Sequence, residues 1–156
     1  MTKQFLGTAS IVKRILAFIF DLLLINFIIV RPFQSMILKI LGNPSWKEAL
    51  SMVESNPEAL SSLTTILFFI SVLSLLYFAV MEWKFSQTLG HMLVGIYVQS
   101  EKKDPKLWQF IISNLFILPF FPFFILWFAD PAYMFFYGKR FSERVAGLKT
   151  VQKYVM

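Results

Sequence analysis

LSSLTTILFFISVLSLLYFAV, residues 60–80, decides the architecture: 21 consecutive residues without a charge, closed by Glu82-Trp83-Lys84. As a helix this run covers about 32 Å, enough to cross a hydrocarbon core of ~30 Å. Ser62, Ser71, Ser74 and Ala79 are small enough to let another helix approach. Tyr77 and Trp83 fit an aromatic belt. The composition agrees. Of 156 residues, 57% are hydrophobic, 19 are phenylalanine and only 15% are charged, where about 25% charged is usual for a soluble chain. A soluble domain of this size could not hide so much apolar surface. A soluble enzyme, a disordered tail and a nucleic-acid module are therefore excluded. There is no cysteine and one histidine, so neither a disulfide framework nor a zinc site is expected, and no cofactor. The net charge of +6 belongs to cations beside apolar segments, where they face anionic lipid headgroups and set topology.

Two further runs flank this span. Ile15 to Val30 lies between Lys13-Arg14 and Arg31-Pro32. At about 24 Å it is short for a crossing, and arginines at both ends can snorkel outward. A signal peptide is the competing reading, but Asp21 and Asn26 interrupt the run and no small-residue cleavage site follows. Leu107 to Phe128 carries Pro119-Phe120-Phe121-Pro122 at its centre, which breaks or sharply kinks the helix. Asp130-Pro131 is read as its stop. The expected fold is an all-α integral membrane domain over 1–156, with spans of about 15–31, 60–81 and 107–128. The third segment is either a re-entrant hairpin or a single crossing. Residues 32–60, counted with Arg31, are neutral, with a short helix expected over 45–55 capped by Ser45. The N-terminus, the 84–106 loop and the tail from Gly138 are basic, so the positive-inside rule assigns them to the cytoplasm.

Arg14 and Asp21 stand seven residues apart, on one face of a helix. An intramembrane carboxylate is costly, so Asp21 should face protein and find a partner. It is either a proton or cation site or an internal latch to another helix. Asn26 is read as a helix–helix hydrogen bond. Two stretches, 87–98 and 141–151, form a loose repeat when Gly147 is set under Gly95. Each is a short helix, a glycine and a strand-like end, which puts both on one membrane side. His91 is a candidate pH switch by its type, though a single interfacial histidine is more often solvated or hydrogen-bonded. On charge and depth, Arg14 is expected to pair with Glu143, with Glu82 as runner-up.

Lys13 to Asp21, Gln87 to Val98 (with Gly90 and Gly95) and Glu143-Arg144-Val145-Ala146-Gly147 together resemble the RDD family of small membrane proteins. The resemblance spans essentially the whole chain. It matches Arg14 to the family arginine and Asp21 to the aspartate of the first helix. Glu143, before Arg144, stands at the second aspartate. His91 stands where the family commonly has lysine, and the arginine usual early in the third segment is missing near Ser113-Asn114. The resemblance implies an integral protein of a prokaryotic cell membrane and, for function, transport of an ion or small solute. The other reading is a non-catalytic scaffold or accessory subunit whose charged residues are structural. No phosphate loop, nucleophile–base pair or metal-ligand set points to an enzyme. So few membrane segments imply a second copy, or another membrane protein, as partner.

Overall fold

The computed structural model describes residues 4–42, 45, 47–48, 51, 55–101 and 104–155, with backbone alone for 4, 5 and 155. In order come β1 (Gln4–Thr8), α1 (Ile11–Ile25), a π-helical turn (Asn26–Val30), α2 (Arg31–Leu41), α3 (Pro57–Phe85), α4 (Leu89–Val94) and β2 (Ile96–Ser100). Then follow α5 (Leu107–Ser113), 3-10 turns at Leu115–Ile117 and Phe123–Ile125, α6 (Leu126–Tyr137), α7 (Phe141–Ala146) and β3 (Leu148–Val155).

Two long helices make a stem. Ile11–Leu41 runs for 31 residues and Pro57–Phe85 for 29, with mean hydropathies of 2.2 and 2.3 over an 18-residue stretch of each, both long and apolar enough to cross a membrane. The first helix is thus far longer than the 15–31 span read from sequence, and Arg31-Pro32 does not end it. Ser10 caps its start, its side chain accepting from Lys13 N. At the proline the π turn intervenes. Arg31 N–H bonds the Asn26 carbonyl, which widens the helix just ahead of the ring and spares it the usual clash. Asn56 caps α3 by accepting from Glu58 N and Ala59 N at 3.1 and 3.2 Å, with Pro57 at the first helical position. Ser74 and Ala79 are buried as small contact residues, whereas Ser62 is exposed. The helix expected over 45–55 lies largely outside the described residues; Ser45 N donates to Glu48 there at 2.8 Å.

The chain is not all-α. A three-stranded antiparallel sheet, in the order β1-β3-β2, forms a platform at one end of the stem. β2 and β3 grow from the strand-like ends after Gly95 and Gly147; β1 was not foreseen. The inner face of the platform puts Val98 and Leu148 on Ala79, Phe110 and Ala146. Ile96 packs with Ala9 and Ala17. The segment between β2 and β3 leaves this sheet and returns to it. Phe120, at its break, reaches Phe68 of α3 (ring centroids 5.7 Å apart). Its two arms are stitched by Trp127 Nε1 donating to the Phe116 carbonyl at 2.5 Å. Asp130-Pro131 does not stop the second arm. Pro131 sits inside α6 as its sixth residue, where it forgoes the backbone bond to the Trp127 carbonyl.

Candidate functional site

The buried polar groups collect where the stem meets the platform. Asp21 is completely buried. Its Oδ1 accepts from Tyr77 Oη at 2.7 Å and from Gly90 N at 2.8 Å, and its Oδ2 from Thr88 Oγ1 at 2.5 Å. A side chain of α1 thereby holds both α3 and the first turn of α4. Gly90 permits this approach: a Cβ there would stand 2.7 Å from Asp21 Oδ2 and closer still to the Ala17 carbonyl. Tyr77 is therefore not a belt residue. Trp83, by contrast, sits at the stem end, donating to the Pro105 carbonyl at 3.1 Å.

The second centre is Glu143, also fully buried. Arg14 Nη1 lies 3.1 Å from its Oε2, and Arg140 Nε lies 3.2 Å from its Oε1. Thr150 Oγ1 donates to Oε1 at 2.6 Å. Arg14 Nη2 reaches on to the Thr150 carbonyl at 3.0 Å. The first helix is thus clamped to α7 and β3 together. Burial raises the Glu143 carboxyl, but Arg140 and Arg14 outweigh it and hold the group below its ordinary value. Burial also works against the Arg140 charge. Glu143, Glu82 and Asp130 more than offset it and raise the guanidinium. Phe116 lies under that guanidinium, 5.2 Å from its carbon to the ring centroid.

The other sequence candidates separate. Glu82 does not meet Arg14. It is buried and accepts from Asn114 Nδ2 at 2.7 Å, so a neutral amide of the third segment holds it where the resemblance leads one to look for arginine. Arg144 is exposed and takes no part; it contacts Tyr133, both by hydrogen bond and across the ring face. The cation that joins the centre is Arg140, three residues before Glu143, which sequence reasoning passed over. Asp130 was read only as a stop. It is buried and caps α7, accepting from Ser142 N at 2.8 Å and Ser142 Oγ at 2.6 Å.

The loose repeat becomes a symmetric one. Gly95 and Gly147 both end a six-residue helix in the left-handed conformation, with φ of 70° and 68°. β2 and β3 then pair with Ile96 opposite Gln152, Val98 opposite Thr150 and Ser100 opposite Leu148. That register is unchanged when each residue is exchanged for its counterpart. Asp21 bonds Gly90 N as Asp130 bonds Ser142 N, at equivalent helix positions. His91 takes the place of Glu143: its Nδ1 accepts from Thr88 N at 3.4 Å as Glu143 Oε2 accepts from Arg140 N at 3.2 Å. Burial, with Arg140 nearby, pushes His91 down to about 4.

Among the described residues no three His, Asp or Glu groups are gathered to hold a metal. The cleft beside Tyr77 has about 30 Å³ and apolar walls of Leu24, Ile25, Ile28 and Ile29, room for no more than about one water. A wider groove of about 260 Å³ lies on the platform edge between Trp83, Ser100 and Pro105, away from the carboxylates. The arrangement can fasten elements and shield charge. No curated protein and no solved structure matches the chain. A family comparison does match, to the RDD family, over residues 8–147. With nearly its whole length covered, the chain belongs to the RDD family of membrane proteins.

Proposed function

We propose that this protein is a non-catalytic membrane scaffold: a stem of two crossing helices with a rigid sheet platform fastened beneath it in the cytoplasm. The observation that carries the reading is the state of Asp21. Both its oxygens are occupied, by donors from α3, from the N-cap of α4 and from the α4 backbone. A group that must take up and release protons needs access and a change of partner. This one has the partners of a latch. The basic N-terminus, the basic 84–106 loop and the basic tail run into the same sheet, which supports placing all three in the cytoplasm of a prokaryotic cell. The same sheet supports a re-entrant third segment. β2 precedes it and β3 follows it, and its helices α5 and α6, about 11 and 18 Å long, are each too short to cross.

Flux into proteoliposomes tests the reading, comparing wild type with Asp21→Asn. A scaffold gives no protein-dependent proton or ion flux in either, while the substitution lowers the melting temperature. Flux in wild type that Asp21→Asn abolishes at unchanged melting temperature would replace the scaffold with a carrier.

A further inference from the structure

Asn26 is the middle residue of the helix Ile11–Leu41. That rod is about 46 Å long, so its midpoint lies inside a ~30 Å hydrocarbon core wherever the core falls on it. Yet Asn26 is exposed, and its amide has no hydrogen-bond partner among the described residues. The face of α1 turned to the rest of the chain is Arg14, Ala17, Asp21 and Ile25. Asn26 belongs to another stripe, Val12, Ile15, Ile19, Leu22 and Asn26, spaced alternately by three and four residues and exposed throughout. This is the spacing of a helix–helix seam, β-branched at three of its five positions. The seam ends where the π turn shifts the helical phase.

We propose that this stripe is a homodimer interface, two copies of the chain packing α1 on α1 with their Asn26 amides hydrogen-bonded to each other. The occupant follows from the chemistry. A primary amide carries donor and acceptor, so its own copy across a two-fold axis satisfies both. Lipid tails satisfy neither. Copies inserted in the same direction meet in parallel, and a lone asparagine on an apolar seam fixes their register. The stripe is clear of the contacts that hold the stem to the platform, so both copies keep their fold. The inference does not depend on the scaffold reading, since a carrier could dimerise through the same seam.

The absence of cysteine from the chain allows single-cysteine scanning in phosphatidylcholine vesicles. Under oxidation, Ile19→Cys and Leu22→Cys form disulfide-linked dimers. Leu16→Cys and Phe27→Cys, exposed on the same helix but off the stripe, do not. Energy transfer between differently labelled chains in the same vesicles gives the second readout. Asn26→Leu weakens association about 10-fold, Asn26→Gln retains it, and neither moves the melting temperature at a lipid dilution where the wild type is monomeric. Equal cross-linking from all four positions would overturn the proposal. So would a monomer at every lipid dilution, association of Asn26→Leu equal to wild type, or a fall in its melting temperature at a dilution where the wild type is monomeric, which would show an intrachain partner.

Discussion

Asp21 and Asp130 do the same job at the two ends of one pseudo-symmetric platform, and they do it with different means. Each is an acid from an apolar helix that caps a six-residue helix leading through a left-handed glycine into a strand. Asp21 recruits three donors from two elements, among them a tyrosine of the other stem helix. Asp130 is bonded by one residue, Ser142, twelve positions along the chain. The first capping acid is a long-range tether, the second a local one. The third helical position differs as well. Glu143 draws in two arginines, whereas His91 in the same place makes only its own capping contact. The same local geometry thus carries a charge clamp on one side and a neutral fastening on the other.

The largest expected effect is on the clamp. Glu143→Gln leaves Arg14 buried beside a neutral amide, and breaking a buried pair in this way costs about 3–5 kcal/mol. The double variant carrying Arg14→Gln as well should cost less than the sum of the two single effects, with a coupling above ~0.5 kcal/mol. Chemical denaturation in detergent measures both. Effects that add within that margin would mean the pair contributes nothing of its own.

Next comes the contrast at Gly90 and Ser142, counterparts in the two halves. Gly90→Ala drives a methyl group into Asp21 and the Ala17 carbonyl, and should destabilise by about 3 kcal/mol through overpacking and lost hydrogen bonds. Ser142→Ala removes only the hydroxyl bond to Asp130, worth about 1 kcal/mol. Melting temperatures of the two variants rank them directly. A Ser142→Ala loss equal to that of Gly90→Ala would abolish the distinction between tether and local cap. A smaller difference of the same sign is expected between the acids themselves. Asp21→Leu should cost roughly 1–3 kcal/mol, the two buried donors left over being the cause, and Asp130→Leu less. If Asp21→Leu left stability unchanged, the tether would be no tether.

How much of this was legible in the sequence follows from which interactions are local. The 60–80 run and the proline break are set by neighbouring residues, and both stand in the structure. The strand-like ends after Gly95 and Gly147 could be read, because a helix, a left-handed glycine and an alternating tail lie next to one another. Their pairing could not, and β1 had no local signal: Gln4–Thr8 is a strand only because β3 runs beside it. Arg14 and Glu143 could be matched by charge and membrane side. Tyr77, Thr88 and Asn114 could not, since neutral donors to a buried acid have no charge by which to be recognised. Arg140 carries a legible signal, a cation at the N-cap of the short helix, three residues before the acid. Arg144 stands beside the acid in the motif that resembles the family's, but adjacent residues on a helix do not share a face.

The smallest expected effect concerns His91. Its ordinary value is 6.5 and in the fold it is pushed down to about 4, chiefly by burial. The unfolded chain therefore binds a proton between those limits and the folded protein does not. Stability is full above 6.5, falls as pH drops through the window, and stops falling below about 4. At pH 5.5 the loss is about 1 kcal/mol. Glu143 contributes with the same sign but in another window. Its folded value is depressed below 4.5, so the stability it gives is present above 4.5 and is lost as pH falls further. The two halves can thus be told apart by where stability declines. The gap in denaturation midpoint between His91→Gln and the wild type should shift steadily in favour of the variant as pH falls from 7 to 5, while both proteins weaken below 4.5. A gap that stays constant between 7 and 5 would mean that His91 does not titrate there, and the neutral fastening would lose its counterpart to the charge clamp.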